Sequence, residues 1–291
     1  MNILVVGATG YIGARILSAA SAIATTRGTT TSVSSSTLRL ELSAPDDFDY
    51  GAINSADVIL LTAAISAPDI CAQEHDRAWA TNVTGTSAFT ERAIARGARV
   101  IFFSSDTVYG ERGDRFDEDA ECHPAGEYAV MKHEVEKRFT REKSFKSIRL
   151  SYVFSREDKF TKYLAGCAER GEEAELFHPF FRAIVHRGDV VDGALALAER
   201  WDEFPQQIIN FGGSAILSRV EFAECIQKHS FPNLRFCVAE PGDAFFKNRP
   251  RTIAMESTIL PALLGRPAHT LAQAVQIEFG ERRNQLVENE G

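Results

Sequence analysis

The sequence predicts an α/β protein, with a doubly wound parallel sheet covered by helices on both faces and a smaller α/β lobe toward the C terminus. The chain opens on a continuous apolar run, residues 2–6, of the kind found in strands that are buried on both faces. Strand-like runs recur at 58–62, 99–104 and 147–153, and helical patterns lie between them at 76–96 and 128–142. Strands that alternate with helices of this length are typical of a parallel sheet.

The C-terminal half is less regular. It predicts helices at 160–170, 189–200, 219–228 and 270–279, strands at 208–211 and 234–238, and an aromatic loop or short strand at 175–184. We therefore expect a first domain of residues 1–154 with about 185–211. About 155–184 with 212–291 would form the smaller lobe.

The composition of the chain argues against disordered, membrane-spanning and nucleic-acid-binding proteins. The 291 residues are 44% hydrophobic and 25% charged, as in globular proteins, and no apolar run is long enough to cross a bilayer. The net charge of -8 argues against a nucleic-acid surface. The first residues carry neither a basic segment nor a cleavage site of the secretory type. We therefore expect a cytoplasmic protein without a nucleic-acid or membrane partner.

The cysteine and histidine patterns predict no metal site. Five scattered cysteines, Cys71, Cys122, Cys167, Cys225 and Cys237, contain no C-x-x-C pair. This favours reduced thiols over a disulfide framework or a zinc knuckle. The seven histidines show no metal-binding spacing.

A glycine-rich turn follows the first predicted strand. Gly7, Gly10 and Gly13 are spaced three apart and lead into a helical pattern. Glycines in this position allow a tight turn, close approach of the backbone to a pyrophosphate, and packing of the helix on the strand. The helix start adds free N–H groups and a positive dipole end. The turn predicts a Rossmann-type dinucleotide site, to which Thr9, Tyr11 and Ile12 would contribute.

The residues after the second strand favour NADP(H) over NAD(H). NAD sites usually place an acid there for the ribose 2′-hydroxyl. We predict this strand at about 30–34, and it is followed by hydroxyl residues, including Ser34 and Ser35, with no acid before Glu41. Arg27 and Arg39 flank the segment and would tolerate a 2′-phosphate.

Tyr128 and Lys132 lie four residues apart and so share one face of a predicted helix. An ammonium beside a phenol favours the phenolate, and such a tyrosine suits proton transfer to a carbonyl. Ser104 and Ser105 end another predicted buried strand, where ligands usually meet a parallel sheet.

Taken together, these motifs resemble the extended short-chain dehydrogenase/reductase family, whose members mostly act on nucleotide sugars. The matching segments, in order, are Gly7-x-x-Gly10-x-x-Gly13, Thr62-Ala63-Ala64, Asn82-Val83-x-Gly85-Thr86, Ser104-Ser105-x-x-Val108-Tyr109-Gly110 and Tyr128-x-x-x-Lys132. Ala129 and Met131 depart from the Gly and Ser that the family often carries beside the catalytic pair.

The resemblance implies a role for each matching residue. Tyr128 would be the general acid and base, and Lys132 would lower its pKa and bind the nicotinamide ribose. Ser105 would hydrogen-bond the substrate oxygen. The residues implied to line the cofactor cleft are Thr62, Ala63, Ala64, Asn82 and Ser104. A homodimer through helices at about 85–96 and 128–141 is also implied.

The position after Ser105 bears on the reaction. Dehydratases of the family carry Asp-Glu there, whereas this chain has Asp106 followed by Thr107, so dehydration is disfavoured. An aspartate directly after the catalytic serine resembles the motif of the dTDP-4-dehydrorhamnose reductase branch, and this resemblance implies that Asp106 is a catalytic residue. The expected activity is reduction of a keto group on a nucleotide-linked sugar. The alternatives are an NAD-dependent epimerase and a cofactor-binding regulatory subunit without turnover.

The same resemblance places substrate contacts in the C-terminal half. Arg249, in the segment Asn248-Arg249-Pro250, would clamp a diphosphate. Thr107, two residues after Ser105, is a further candidate for substrate contact. The position of the predicted smaller lobe, apart from the resemblance, adds candidates that could stack on a base or meet a phosphate: Phe154, Phe160, His178, Phe180, Phe181 and Arg182.

Overall fold

In the computed structural model, residues 1–32, 37–112 and 115–289 are described. The strands are β1 (Asn2–Val6), β2 (Thr25–Thr30), β3 (Thr37–Arg39), β4 (Asp57–Leu61), β5 (Arg99–Ser105), β6 (Phe145–Leu150), β7 (Val153–Phe154), β8 (Glu173–Phe177), β9 (Phe181–Ala183), β10 (Val185–His186), β11 (Ile208–Phe211), β12 (Ile216–Ser218), β13 (Arg235–Ala239) and β14 (Thr252–Ile253).

The helices alternate with these strands along most of the chain. They are α1 (Gly13–Ala20), α2 (Pro68–Gln73), α3 (His75–Trp79), α4 (Thr86–Ala95), α5 (Glu127–Phe139), α6 (Lys159–Arg170), α7 (Arg187–Glu199), α8 (Arg219–His229), α9 (Asp243–Phe246), α10 (Leu260–Leu264) and α11 (Leu271–Asn289). Short 3₁₀ turns occupy Pro45–Asp47, Tyr50–Ala52 and Asp106–Tyr109, and a π-helical segment occupies Ala80–Gly85.

Seven strands form one sheet in the order β11-β6-β5-β4-β1-β2-β3, and every neighbouring pair is parallel. The central strands β1 and β4 are buried along almost their whole length because helices cover both faces. Two hydrophobic clusters lie on opposite faces, one around Ile3, Val5 and Ile16 and the other around Leu4, Val6 and Phe89. The fold class expected from the sequence is confirmed.

The remaining strands form three small sheets. β9 is central in one of them, antiparallel to β12 and parallel to β14. β8 pairs with β13, and β7 pairs with β10. A third cluster around Phe154, Phe160 and Phe222 packs α6 and α8 against this part of the chain. On this basis we propose the division into a sheet domain and a smaller lobe that the sequence suggested.

Several predicted bounds differ from the structure: α11, for example, continues to Asn289, and two other elements differ in arrangement. The second strand runs from Thr25 to Thr30, five residues earlier than predicted, and a third short strand follows it at Thr37–Arg39. The helix predicted at 76–96 is divided into α3, a π-helical turn and α4. In the part of the chain that the structure covers, no helix combines the length and apolarity that crossing a membrane requires.

Candidate active site

The glycine turn is held tightly between β1 and α1. A Cβ atom on Gly13 would lie 2.2 Å from the Gly7 carbonyl oxygen, and one on Gly10 would lie 3.2 Å from it. Gly7 has a φ of +88°, which favours glycine. Thr62 Oγ1 donates to the Val6 carbonyl at 2.8 Å and so ties the end of β4 to the turn. The backbone can therefore approach a ligand closely here.

A cavity of about 450 Å³ opens beside this turn at the carboxyl ends of the strands. Ligands of open α/β sheets bind at this edge. Four of the residues predicted to hold the cofactor line the cavity: Gly7, Thr9, Ala63 and Ala64. The other lining residues, which the motifs did not indicate, are Val6, Thr29, Thr30, Thr31, Leu40, Glu41, Leu42, Ser43, Ile65, Arg77 and Thr81.

Other predicted cofactor residues surround the turn. Ile12 is the residue before α1. The Tyr11 hydroxyl lies 2.8 Å from Ser155 Oγ and donates to the Val153 carbonyl at 3.2 Å, so it joins the turn to β7. Arg39 is exposed at the end of β3. Ser34 and Ser35 lie outside the described residues.

Arg27 does not face the cavity as expected. Its guanidinium donates to Asp57 Oδ2 at 2.7 Å and to the Ala52 carbonyl at 2.5 Å. Because Arg27 is already paired with a buried carboxylate, its assignment to the 2′-phosphate is withdrawn.

Asn82 acts on the cavity through the backbone of Ile65. Its Oδ1 accepts from Ile65 N at 2.8 Å, and its Nδ2 donates to Ile65 O at 2.9 Å. The side chain lies in the π-helical segment and is buried, with Nδ2 3.7 Å from Met131 Sδ. Asn82 therefore holds the Ala63–Ile65 wall in place and does not line the cavity itself.

Tyr128 and Lys132 occupy successive turns of α5, as predicted. Lys132 Nζ lies 5.7 Å from the centre of the Tyr128 ring and donates to the Phe103 carbonyl at 2.7 Å. This bond fastens α5 to β5 two residues before Ser105. Among the described residues, none forms a hydrogen bond with the Tyr128 hydroxyl.

The pKa values of this pair differ from the sequence expectation. Burial raises the pKa of Tyr128, and the neighbouring Cys71 and Asp106 groups raise it further. Burial also lowers the pKa of Lys132 to about 7, although the Glu136 carboxylate on the next turn opposes this shift. Burial therefore sets the direction of the Tyr128 pKa shift, which is opposite to the lowering expected from Lys132.

Ser105 ends β5 and begins a 3₁₀ turn. Its Oγ accepts from Thr107 N at 3.2 Å and from Thr107 Oγ1 at 2.9 Å. It also donates to Asp106 Oδ1 at 3.3 Å. Thr107, predicted to bind substrate, therefore orients Ser105. Ser104 is buried close to the Glu136 carboxylate.

Asp106 is buried beneath this turn. Its Oδ2 accepts from Ser151 Oγ at 2.9 Å and lies 3.7 Å from Arg182 Nε. Burial raises the pKa of Asp106, whereas Arg182, Ser151 and Ser105 lower it. A buried carboxylate that already has these partners positions Ser105 and has no open face for substrate. Ser151 is a residue that no motif indicated.

Arg182 and Phe154, both predicted to contact substrate, make internal contacts in the smaller lobe. Arg182 Nη1 and Nη2 donate to the carbonyls of Phe181, Pro250 and Arg251, at 2.6, 2.7 and 3.2 Å. Phe154 is fully buried, with its ring 5.5 Å from that of Phe222. Both side chains therefore belong to the packing of the smaller lobe.

The remaining predicted substrate residues of that lobe are partly or fully buried. Arg249 forms a two-bond pair with Asp69 on α2, with Nη1 2.9 Å from Oδ1. His178 is half-buried, with its ring 5.4 Å from that of Phe181, and the Phe180 ring lies 4.2 Å from the Arg182 guanidinium carbon. Phe160 is part of the buried cluster.

Two groups of side chains bring possible metal-binding atoms within 4.8 Å of one another, Cys122, His133 and Glu136 in one and His186, Asp189 and His269 in the other. In both groups an arginine already pairs with the carboxylate. Arg149 Nη2 lies 2.8 Å from Glu136, and Arg266 Nη2 lies 2.7 Å from Asp189. We therefore assign both groups to ion pairs that hold helices in place.

Comparison with known proteins identifies a family to which this chain is similar. The family model described as RmlD substrate binding domain matches residues 1–277. The spore coat polysaccharide biosynthesis protein SpsK of Bacillus subtilis (strain 168) is 24% identical over 179 residues, which are 60% of this chain and 61% of that relative. The chain therefore matches somewhat less than two thirds of the length of SpsK.

Two solved structures with the same fold illustrate the likeness. A dTDP-4-dehydrorhamnose reductase from Clostridium acetobutylicum ATCC 824 has a TM-score of 0.81 at 19% identity, over 96% of this chain and 98% of that one. MoeE5 in complex with UDP-glucose and NAD has a TM-score of 0.77 at 19% identity, over 98% and 100%.

Proposed function

Because the chain belongs to the RmlD substrate binding domain family of extended short-chain dehydrogenases/reductases, we propose that it reduces a keto group on a nucleotide-linked sugar. Tyr128 donates the proton, Ser105 holds the substrate oxygen, and NADP(H) is the cofactor. The observation that carries the proposal is the bond from Lys132 to the Phe103 carbonyl. It fixes the face of α5 that carries Tyr128 beside the strand that ends at Ser105.

The direction of proton transfer follows from the environment of Tyr128. Reduction of a carbonyl needs an acid that is protonated at neutral pH. Burial and the neighbouring Cys71 and Asp106 groups raise the Tyr128 pKa. The phenol is therefore protonated at neutral pH, as a proton donor must be, but it is a weaker acid than an ordinary tyrosine. Ser105, whose Oγ is oriented by Thr107, supplies a second polar contact to the same oxygen.

The cradle around the glycine turn fits a dinucleotide. Side chains on Gly7 or Gly13 would fill the space against Ala63 and Thr62, so this part of the wall is bare backbone. When bound, a nicotinamide cofactor would supply the hydride. By the resemblance to the family, Lys132 on α5 would meet its ribose.

The preference for NADP(H) rests on the wall formed by the end of β2. Thr29, Thr30 and Thr31 stand there in place of the acid that NAD sites use. Glu41 lines the cavity farther along the chain, where Ser43 donates to its Oε1 at 3.0 Å. Comparing the KM values for NADPH and NADH tests this preference, and a lower KM for NADH would contradict it.

Loss of water from the sugar is disfavoured by the surroundings of Asp106. Dehydration needs a free acid and a free base beside the sugar. Asp106 is committed to Ser151, Ser105 and Arg182, and Thr107 follows it. Reduction needs only the Tyr128 proton and a hydride.

The experiment follows NADPH absorbance with purified protein and a panel of nucleotide-linked 4-keto-6-deoxy sugars. We expect oxidation with at least one member and a loss of about 100-fold or more in kcat for Tyr128→Phe, since one acid–base group typically contributes about 100- to 10,000-fold. Tyr163→Phe, which removes an exposed hydroxyl from α6, is the matched control and should keep full activity.

No oxidation of NADPH by any panel member would contradict the proposal. If a nucleotide sugar were instead converted to its epimer without net change in absorbance, the protein would be an epimerase. Tight binding of NADPH without either reaction would point to a regulatory subunit.

A further inference from the structure

Cys122 and His133 form the half-buried side of the group that they share with buried Glu136. Cys122 lies in the loop between the 3₁₀ turn Asp106–Tyr109 and α5, and His133 lies on α5. The Cys122 sulfur, a ring nitrogen of His133 and a carboxylate oxygen of Glu136 all lie within 4.8 Å of one another. Reactive cysteines in proteins lie beside a cationic side chain in this way.

The charges of this group do not balance. Close contacts with Cys122 and with Glu136 raise the pKa of His133 to about 9, so its ring is a cation at neutral pH. The buried Arg149 is a second cation, and its Nε and Nη2 both donate to Glu136, at 3.1 and 2.8 Å. In the described part of the chain, His133 and Arg149 each form an ion pair with Glu136 and with no other carboxylate. One positive charge is therefore left over beside the Cys122 sulfur.

Two nitrogen atoms of these cations are buried without a hydrogen-bond partner among the described residues, His133 Nδ1 and Arg149 Nη1. Arg149 is only 5% exposed, and Nη1 lies on the side of the guanidinium that Glu136 does not occupy. Cys122 is close enough for its charge to interact with that of Arg149. Because a buried N–H group without an acceptor is costly, these nitrogens favour an anionic or polar group at the Cys122 position.

A cavity of about 600 Å³ gives access to Cys122. Small-molecule sites in proteins occupy about 300 to 1,000 Å³. The cavity lies between the loop around Cys122 and the residues Phe246 and Pro250, and Arg112 is part of its wall. An arginine in the wall favours a ligand that carries a carboxylate. Among the described residues, none lines both this cavity and the one beside the glycine turn.

We propose that Cys122 is a modification site, at which a low-molecular-weight disulfide that carries carboxylates forms a mixed disulfide with the protein. The Cys122 thiolate attacks one sulfur of the small disulfide, so that a new S–S bond forms to Cys122 and the original S–S bond breaks. The departing thiolate takes a proton from the His133 imidazolium. Cys122 is thereby oxidised and half of the small disulfide is reduced to a thiol, so no other oxidant is needed.

The test incubates the native protein with glutathione disulfide at neutral pH, blocks the remaining thiols and measures each adduct by peptide mass spectrometry. Cys237 is the internal reference: it is exposed on β13, and its pKa is raised by desolvation and by the neighbouring Glu173 and Glu175. We expect the mixed disulfide to form about tenfold faster or more at Cys122 than at Cys237. Dithiothreitol should reverse it.

A histidine substitution tests the role of the neighbouring cation. His133→Gln should slow the reaction of Cys122 by about fivefold or more, whereas Cys237 should react as in the wild type and so show that the fold is kept. The matched control is His123→Gln in the same loop, because the His123 ring pairs with Glu121 at 3.6 Å. This variant should react as the wild type does.

Adduct formation at Cys237 that is as fast as at Cys122 in the wild type would overturn the proposal, since exposure alone would then set the rate. This comparison needs no variant, so it decides the matter even if His133→Gln does not fold. An unchanged rate at Cys122 in folded His133→Gln, or an equal loss in His123→Gln, would also overturn it. So would a Cys122 adduct that dithiothreitol does not remove, because the new bond would not be a disulfide.

Discussion

Replacing Lys132 with methionine should change how the stability of the protein depends on pH. Lys132 is only 2% exposed, and burial lowers the pKa of its ammonium from 10.5 to about 7. In the unfolded chain the amine returns to its ordinary pKa, near 10.4. Between these two values the unfolded state binds more protons than the folded state, so the wild-type free energy of unfolding rises with pH.

The size of the effect follows from the shift. Each pKa unit corresponds to about 1.4 kcal/mol, so the buried lysine destabilises the fold by about 5 kcal/mol at pH 6 and about 2 kcal/mol at pH 9. Methionine fills similar space without titrating. Lys132→Met should therefore be more stable than the wild type at pH 6, and this advantage should shrink by about 3 kcal/mol at pH 9.

The assay is urea unfolding at both pH values, followed by far-ultraviolet circular dichroism on protein without added cofactor. Lys137→Met is the control, because that lysine is exposed on the same helix, and its difference from the wild type should not depend on pH. A constant difference between Lys132→Met and the wild type, or one that grows with pH, would refute the reasoning.

Two further substitutions test the packing around the site. Glu136→Gln removes the charge that pairs with buried Arg149, and it should lower the free energy of unfolding by about 3 to 5 kcal/mol. The control is Glu134→Gln, which removes the charge of an exposed ion pair on the same helix and should cost under about 1 kcal/mol. Equal losses for the two variants in urea unfolding would contradict this prediction. Gly13→Ala would place a Cβ 2.2 Å from the Gly7 carbonyl oxygen and 2.7 Å from Thr62 Oγ1, so we expect a loss of roughly 3 kcal/mol and weaker NADPH binding by calorimetry. Gly10→Ala, with one contact at 3.2 Å, should lose less, and the reverse order would show that the turn is not the constraint.

The buried strands could be predicted because each is a continuous run of apolar residues, a pattern typical of strands that are covered on both faces. The predicted bounds of β1 and β11 agree with the structure, and those of β4 are within one residue. β2 was placed too late because its sequence, Thr25–Thr30, is mostly threonine and carries little apolar signal. A strand near a sheet edge, with part of its surface exposed, does not need that signal.

The π-helical turn before α4 could not be predicted from periodicity. Residues 76–96 read as one helix, and the local widening at Asn82 is associated with bonds to Ile65, seventeen residues earlier. A period of 3.6 residues describes contacts within a helix, whereas Asn82 is fixed by a loop that the helix meets only after folding. The sequence motif indicated Asn82 correctly, but only the structure shows that Asn82 acts by holding the backbone of Ile65.

The arginines show most clearly what sequence reasoning lacks at this site. Arg182 and Arg249 were selected by residue type and segment, and both are found beside aspartates that are distant in the chain, Asp106 and Asp69. The charge available to a ligand depends on which carboxylates the fold places beside each guanidinium. No sequence pattern records this, because the partners come from separate elements.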